Sequence, residues 1–267
     1  MSATDAYVRP DPALIAELRE RIQGIGGRGR RRREAPLSLG IEVVDAALPW
    51  GGLPVACLHE VAAADSTAAA TGFSAVLLAR LARRTGTVVW CRRPPNVHGP
   101  GLYGPGLAAL GLETARLIVI RARTDTDVFW AMEEGLRSGV PAAVLGETAA
   151  ASPVALRRLQ LAAETGGVTA LLLRPADTAA APGPAVTRWR VGSAPALPAS
   201  GERQSAAAPG AFRWRVELVH HRGAATRAPA AWLLEWSDET GGLAVAAELR
   251  HRPAEPAQDA VPVRRAV

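Results

Sequence analysis

The chain has 267 residues, 48% of them hydrophobic, and a formal charge of +6, with 31 arginines and no lysine. That is ample apolar material for one large domain with appendages. No apolar run approaches the roughly 18 residues of a membrane span, and the polar start MSATDAYVRP has no apolar signal region, so a cytoplasmic protein is expected. The two cysteines, Cys57 and Cys91, sit in apolar runs and read as buried thiols, not as a disulfide or metal pair. Nucleic acid is a natural partner for a basic chain, but the charge is uneven. Residues 1–36 hold 8 arginines against 5 acids, residues 37–175 hold 12 against 11, and residues 176–267 hold 11 against 9.

Asp11-Pro12 opens a helix expected to run to residue 23, with Leu14, Ile15, Leu18 and Ile22 on one apolar stripe. Residues 24–33 (GIGGRGRRRR) follow as a flexible basic linker. Its Arg28, Arg30, Arg31, Arg32 and Arg33 suit DNA phosphates or an acidic protein surface, or simply a solvated linker. From residue 37 helices and strands alternate. Helices are expected at 41–48, 71–84, 106–110, 125–138 and 153–165, and strands at 55–61, 87–91, 117–121, 142–145 and 168–173. Apolar strands alternating with helices of this length define an α/β fold with a parallel sheet covered on both faces. Beyond residue 185 the style changes. Residues 186–191, 212–220 and 231–236 alternate polar and apolar, as half-buried antiparallel strands do. Residues 250–267 contain three prolines and no periodicity, and are expected to form a disordered tail.

The run LSLGIEVVDAALPWGGLPVACLHE at residues 37–60 resembles the entry to a RecA core: a short helix, a Gly-Gly-Leu turn and the first central strand. The later order of elements fits as well. Within RecA-like proteins the chain is most similar to the ImuA family, sometimes grouped with SulA-like proteins. The segments that carry this are WAMEEGLRSG (130–139), RRLQLAAETGGVTALLLRP (157–175), TRWRV (187–191), RWRVEL (213–218) and WLLEW (232–236). The resemblance covers residues 37–236. It implies a RecA-like core with an antiparallel C-terminal extension, divided as residues 1–36, 37–249 and 250–267. It also implies a non-polymerase accessory of a damage-inducible (SOS) mutagenesis cassette supporting translesion synthesis. Its partners would be ImuB, a Y-family-like polymerase relative, possibly RecA, and indirectly an error-prone C-family polymerase.

A RecA-type ATPase needs glycines that turn backbone N–H groups toward phosphate, and a lysine on the β/γ-phosphates. At that place the chain has Ala62, Ala63, Ala64, Asp65, Ser66, Thr67, three alanines, Thr71 and Gly72, with no Gly-Lys-[Ser/Thr]. Asp65 adds negative charge, and Ser66, Thr67 or Thr71 serves as a helix cap. The carboxylate that activates water should follow the next strand, but Arg92 and Arg93 stand there. The magnesium-binding acid should end the strand at 142–145, where the residue is Gly146, followed by Glu147. No catalytic residue, cofactor or metal is expected. Arg92 and Arg93 retain the capacity to contact an anion.

Two Arg-Trp-Arg repeats, at 188–190 and 213–215, suggest nucleic acid, but strand alternation puts Trp and Arg on opposite faces, so core Trp and solvent-facing Arg are expected, with at most weak DNA contact. Asp125, Asp127, Glu133 and Glu134 read as a helix start and a solvated helix face. His59, His220 and His221 show no metal-ligand spacing. The expected function is therefore that of a non-catalytic adaptor. The alternatives are a SulA-type cell-division inhibitor or a RecA-paralogue that binds single-stranded DNA.

Overall fold

The computed structural model describes residues 35–93, 101–149, 151–174, 183–195, 212–223, 230–237 and 240–249. In chain order the elements are α1 (Glu42–Asp45), β1 (Leu58–Ala63), α2 (Thr67–Thr85), β2 (Val88–Arg92), α3 (Gly104–Ala109), β3 (Leu117–Arg121), α4 (Asp125–Arg137), β4 (Ala143–Glu147), α5 (Pro153–Gly166), β5 (Thr169–Arg174), β6 (Thr187–Ser193), β7 (Arg213–His221), β8 (Ala230–Ser237) and β9 (Gly242–Leu249). One nine-stranded sheet runs β3-β2-β4-β5-β1-β6-β7-β8-β9. Strands β1 to β6 pair in parallel, and β7, β8 and β9 add in antiparallel fashion. The α/β architecture with antiparallel closing strands is the one the RecA resemblance implied.

Local chemistry sets the helix boundaries. Ser66 caps α2 by accepting from Ala68 N, Thr124 and Asp127 form a capping box at α4, and Ser152 caps α5 ahead of Pro153. Gly167 ends α5 in the left-handed region, at φ 69°. The parallel strands are buried on both faces; every residue of β5 is buried. On one face α2 packs over β1, β5 and β6 through Phe73, Val76, Leu77 and Leu81. On the other, α4 and α5 cover Leu58, Val89, Cys91, Val144 and Leu172. Cys57 and Cys91 are free buried thiols.

Two element starts and one added strand stand out among the differences from expectation. β1 starts at Leu58 and not at Val55, because Ala56 takes a left-handed φ of 56°, which breaks extended pairing. α2 starts at Thr67, four residues before the expected Thr71, because Ser66 is the cap and Ala68, Ala69 and Ala70 propagate the helix. β9 was not expected at all. Its sequence GLAVAAEL has neither clear alternation nor β-branched enrichment, and pairing with β8 supplies what propensity lacks.

Candidate functional site

The chain leaves β1 for β2 and β3 on one side, returns through β4 and β5, and then crosses to β6 on the other side of β1. The order thus reverses at β1, and the carboxyl ends of strands at such a reversal form the usual ligand crevice of α/β sheets. Only Ala64, Asp65 and Ser66 connect β1 to α2. Three residues are too few to wrap a phosphate. Ala62 and Ala63 belong to β1, and Thr67, Thr71 and Gly72 to α2. The connection is also tied down: Ala64 N donates to Val191 O at 2.8 Å. The Asp65 carboxylate accepts from Ser193 N at 2.9 and 3.2 Å. A Cβ on Gly192 would lie 3.0 Å from Asp65 Oδ2, so β6 accepts this connection only because position 192 is glycine. Gly72 has a packing role: the Trp214 ring lies 3.1 Å from where its Cβ would be.

The ends of β2 and β4 are joined to each other. Trp90 Nε1 donates to Glu147 Oε1 at 2.7 Å, and Arg92 Nη2 lies 3.4 Å from Glu147 Oε2. Burial pushes the Glu147 carboxyl above its usual range, opposed by the Arg92 charge and the Trp90 hydrogen bond. Arg93, more exposed, lies 3.6 Å from Asp125. Strand alternation corrects the expected position of the acid. β4 runs on to Glu147, so Leu145 and Glu147 face α2 while Gly146 faces α4. A Cβ on Gly146 would overlap the Met132 sulfur, and so a carboxylate at that position requires Met132 to move.

The tryptophans of both Arg-Trp-Arg repeats are buried, at 0% exposure for Trp189 and 4% for Trp214. Their arginines face the other way, and three of the four meet glutamates. Arg190 pairs with Glu217 at 3.3 Å, Arg213 Nε donates to Glu235 at 2.7 Å, and Arg188 Nε donates to the buried Glu60 at 3.0 Å. Inward indoles and glutamate-paired Arg188, Arg190 and Arg213 make a poor surface for single strands. Glu133 is not solvated as expected. It is 4% exposed and holds Arg137 and Arg158, the latter at 2.6 Å. Sequence reasoning missed the roles of Trp90, Met132 and Gly192, which lie in contacts between distant segments. Leu14, Ile15, Leu18, Ile22, Arg28, Arg30, Arg31, Arg32, Arg33 and the 250–267 segment lie outside the described residues.

Among the described residues no cluster of three or more His, Cys, Asp or Glu is placed to hold a metal, and no helix is long and apolar enough to cross a membrane. The fold defines an α/β protein with a mostly parallel sheet, antiparallel closing strands and a short, tied-down β1–α2 connection, as the RecA resemblance implied. No family model matches the sequence. Curated relatives do: the chain is 36% identical over 221 residues to Protein ImuA of Caulobacter vibrioides strain NA1000 / CB15N, covering 78% of this chain and 86% of that protein. Protein ImuA of strain ATCC 19089 / CIP 103742 / CB 15 of the same species gives the same figures. The chain belongs to the ImuA family.

Proposed function

We propose that the protein is a non-catalytic adaptor of SOS-induced translesion DNA synthesis, acting with an ImuB-type polymerase relative and with RecA. Family membership supports a role in the ImuA–ImuB mutagenesis system. One observation supports the adaptor reading: among the described residues the β1–α2 connection is only three residues long, has no glycine and is anchored by Asp65 on Ser193 N. Phosphoryl transfer depends on positioning and charge stabilisation around the β/γ-phosphates. The segment with Leu14, Ile15, Leu18 and Ile22, followed by the arginine run, is the proposed contact element for partners. An anion held by Arg92 or Arg93 has to compete with Glu147 and Asp125. The adaptor role is tested by pull-down of ImuB and RecA with the full chain and with a chain lacking residues 1–36, at physiological salt. Loss of both partners on deletion supports the reading; unchanged capture removes it.

A further inference from the structure

Strand β3 forms one edge of the sheet and, among the described residues, pairs with β2 alone. It is also the one strand with no buried residue: Ile118 is 53% and Val119 41% exposed. Proteins usually blunt such an edge with a charge, a proline or a bulge. The run Leu117-Ile118-Val119-Ile120 has neither charge nor proline, and its register against β2 is unbroken from Val88↔Leu117 to Arg92↔Arg121. The opposite edge, β9, is less inviting. Its pairing with β8 shifts between Leu233 and Leu234, and its exposed positions Ala244 and Ala246 are small.

The backbone fixes what this edge can accept. Ala122 N donates to Arg92 O, so Ile118 and Ile120, in step with Ala122, turn their N–H and C=O groups toward β2. Leu117, Val119 and Arg121 turn theirs outward. Antiparallel pairing of two such strands about Val119 uses all three: Val119 meets Val119, and Leu117 meets Arg121 on either side, each as a hydrogen-bonded pair. Side chains agree with that register. Ile118 falls beside Ile120, and Arg121 opposite Leu117, so no like charges face each other within the strand. Arg116, just before the strand, is held by Glu113 at 2.9 Å and by Ala82 O at 3.2 Å. The chain's own remaining segments match this edge poorly. Outside the described residues none has more than two consecutive Leu, Ile or Val, and residues 94–100 contain three prolines, which have no N–H to donate. We propose that β3 pairs antiparallel with β3 of a second copy across a two-fold axis, joining the two sheets edge to edge. This goes beyond the adaptor reading and does not depend on it.

The test is sedimentation of the full chain across concentration and salt, with the variants Val119→Lys and Val119→Glu. Position 119 lies on the proposed axis, so either substitution sets two like charges directly opposite each other. Thermal melts check that each variant folds. The wild type is expected to form a dimer that withstands high salt, because backbone hydrogen bonds and apolar contacts carry it and no ion pair does. Each variant should weaken dimerisation by more than about tenfold. Mixing the two variants sets opposite charges on the axis, and heterodimers should appear at concentrations where neither variant dimerises alone. A wild type that stays monomeric at all concentrations overturns the proposal; that is the outcome expected of an edge that serves a strand of another protein. A dimer indifferent to both substitutions overturns it too, since the contact then lies elsewhere, as at β9. So does a mixture that yields no heterodimer.

Discussion

Trp90 Nε1 donates to Glu147 Oε1 at 2.7 Å, joining the ends of β2 and β4 where a nucleotide-binding core keeps its catalytic acids. Glu147 is thus a structural acceptor that also meets Arg92. Glu147→Gln keeps an oxygen for Trp90 and should lower stability by only about 1 kcal/mol. Glu147→Ala strands a buried indole N–H and removes one partner of Arg92, and should lower it by about 2–3 kcal/mol. Urea unfolding of both variants checks the difference.

Restoring an acid at position 146 should fail for a packing reason. Gly146 faces Met132, whose sulfur occupies the space a Cβ needs. Gly146→Asp would bury a carboxylate against α4 with no partner, and a loss of more than about 3 kcal/mol is expected. Adding Met132→Ala opens the space and should recover part of it. Thermal melts of the single and double variants are the measurement.

Gly72→Ala sets two effects against each other. Alanine is favoured over glycine in a helix by about 1 kcal/mol, but the new Cβ lies 3.1 Å from the buried Trp214 ring. The ring is buried, at 4% exposure, so overpacking of about 1–3 kcal/mol should win. A Tm below wild type is expected, and Trp214→Phe should reverse its sign.

Much of this was legible in the sequence, and what was not has physical causes. The inward tryptophans followed from strand alternation around Trp189 and Trp214, a property of the local chain. Ser66 is one of three cap candidates that the sequence offers with Thr67 and Thr71; a start at Thr71 falls four residues late because Ser66 is the one that caps. Glycine at 72 turned out to be set by a tryptophan more than a hundred residues away. The role of Glu147 is not legible in the sequence, since nothing near it announces Trp90 or Arg92. Contacts fixed by sheet register, across segments 50 to 130 residues apart, carry the closed site.

Acid should weaken the fold before carboxylates titrate. His59 is fully buried. Pro54 O can only accept, so His59 Nε2–H donates to it at 2.8 Å; Trp189 Nε1 donates to Thr187 Oγ1 at 2.8 Å, and the Thr187 hydroxyl donates to His59 Nδ1 at 2.7 Å. Burial lowers the imidazole from 6.5 to about 4. As pH falls below 6.5 the unfolded chain takes up the proton first. Stability is then lost progressively down to about 4, where the folded form protonates as well. Unfolding at pH 5 should require roughly 2 kcal/mol less than at pH 7.5. His59→Gln should flatten that slope.

Calorimetric titration of the purified full chain with ATP and magnesium, together with phosphate release, reaches the central claim most directly. No turnover is expected, and no binding that changes on Asp65→Asn or Glu147→Gln. Hydrolysis that disappears with either substitution would contradict the account.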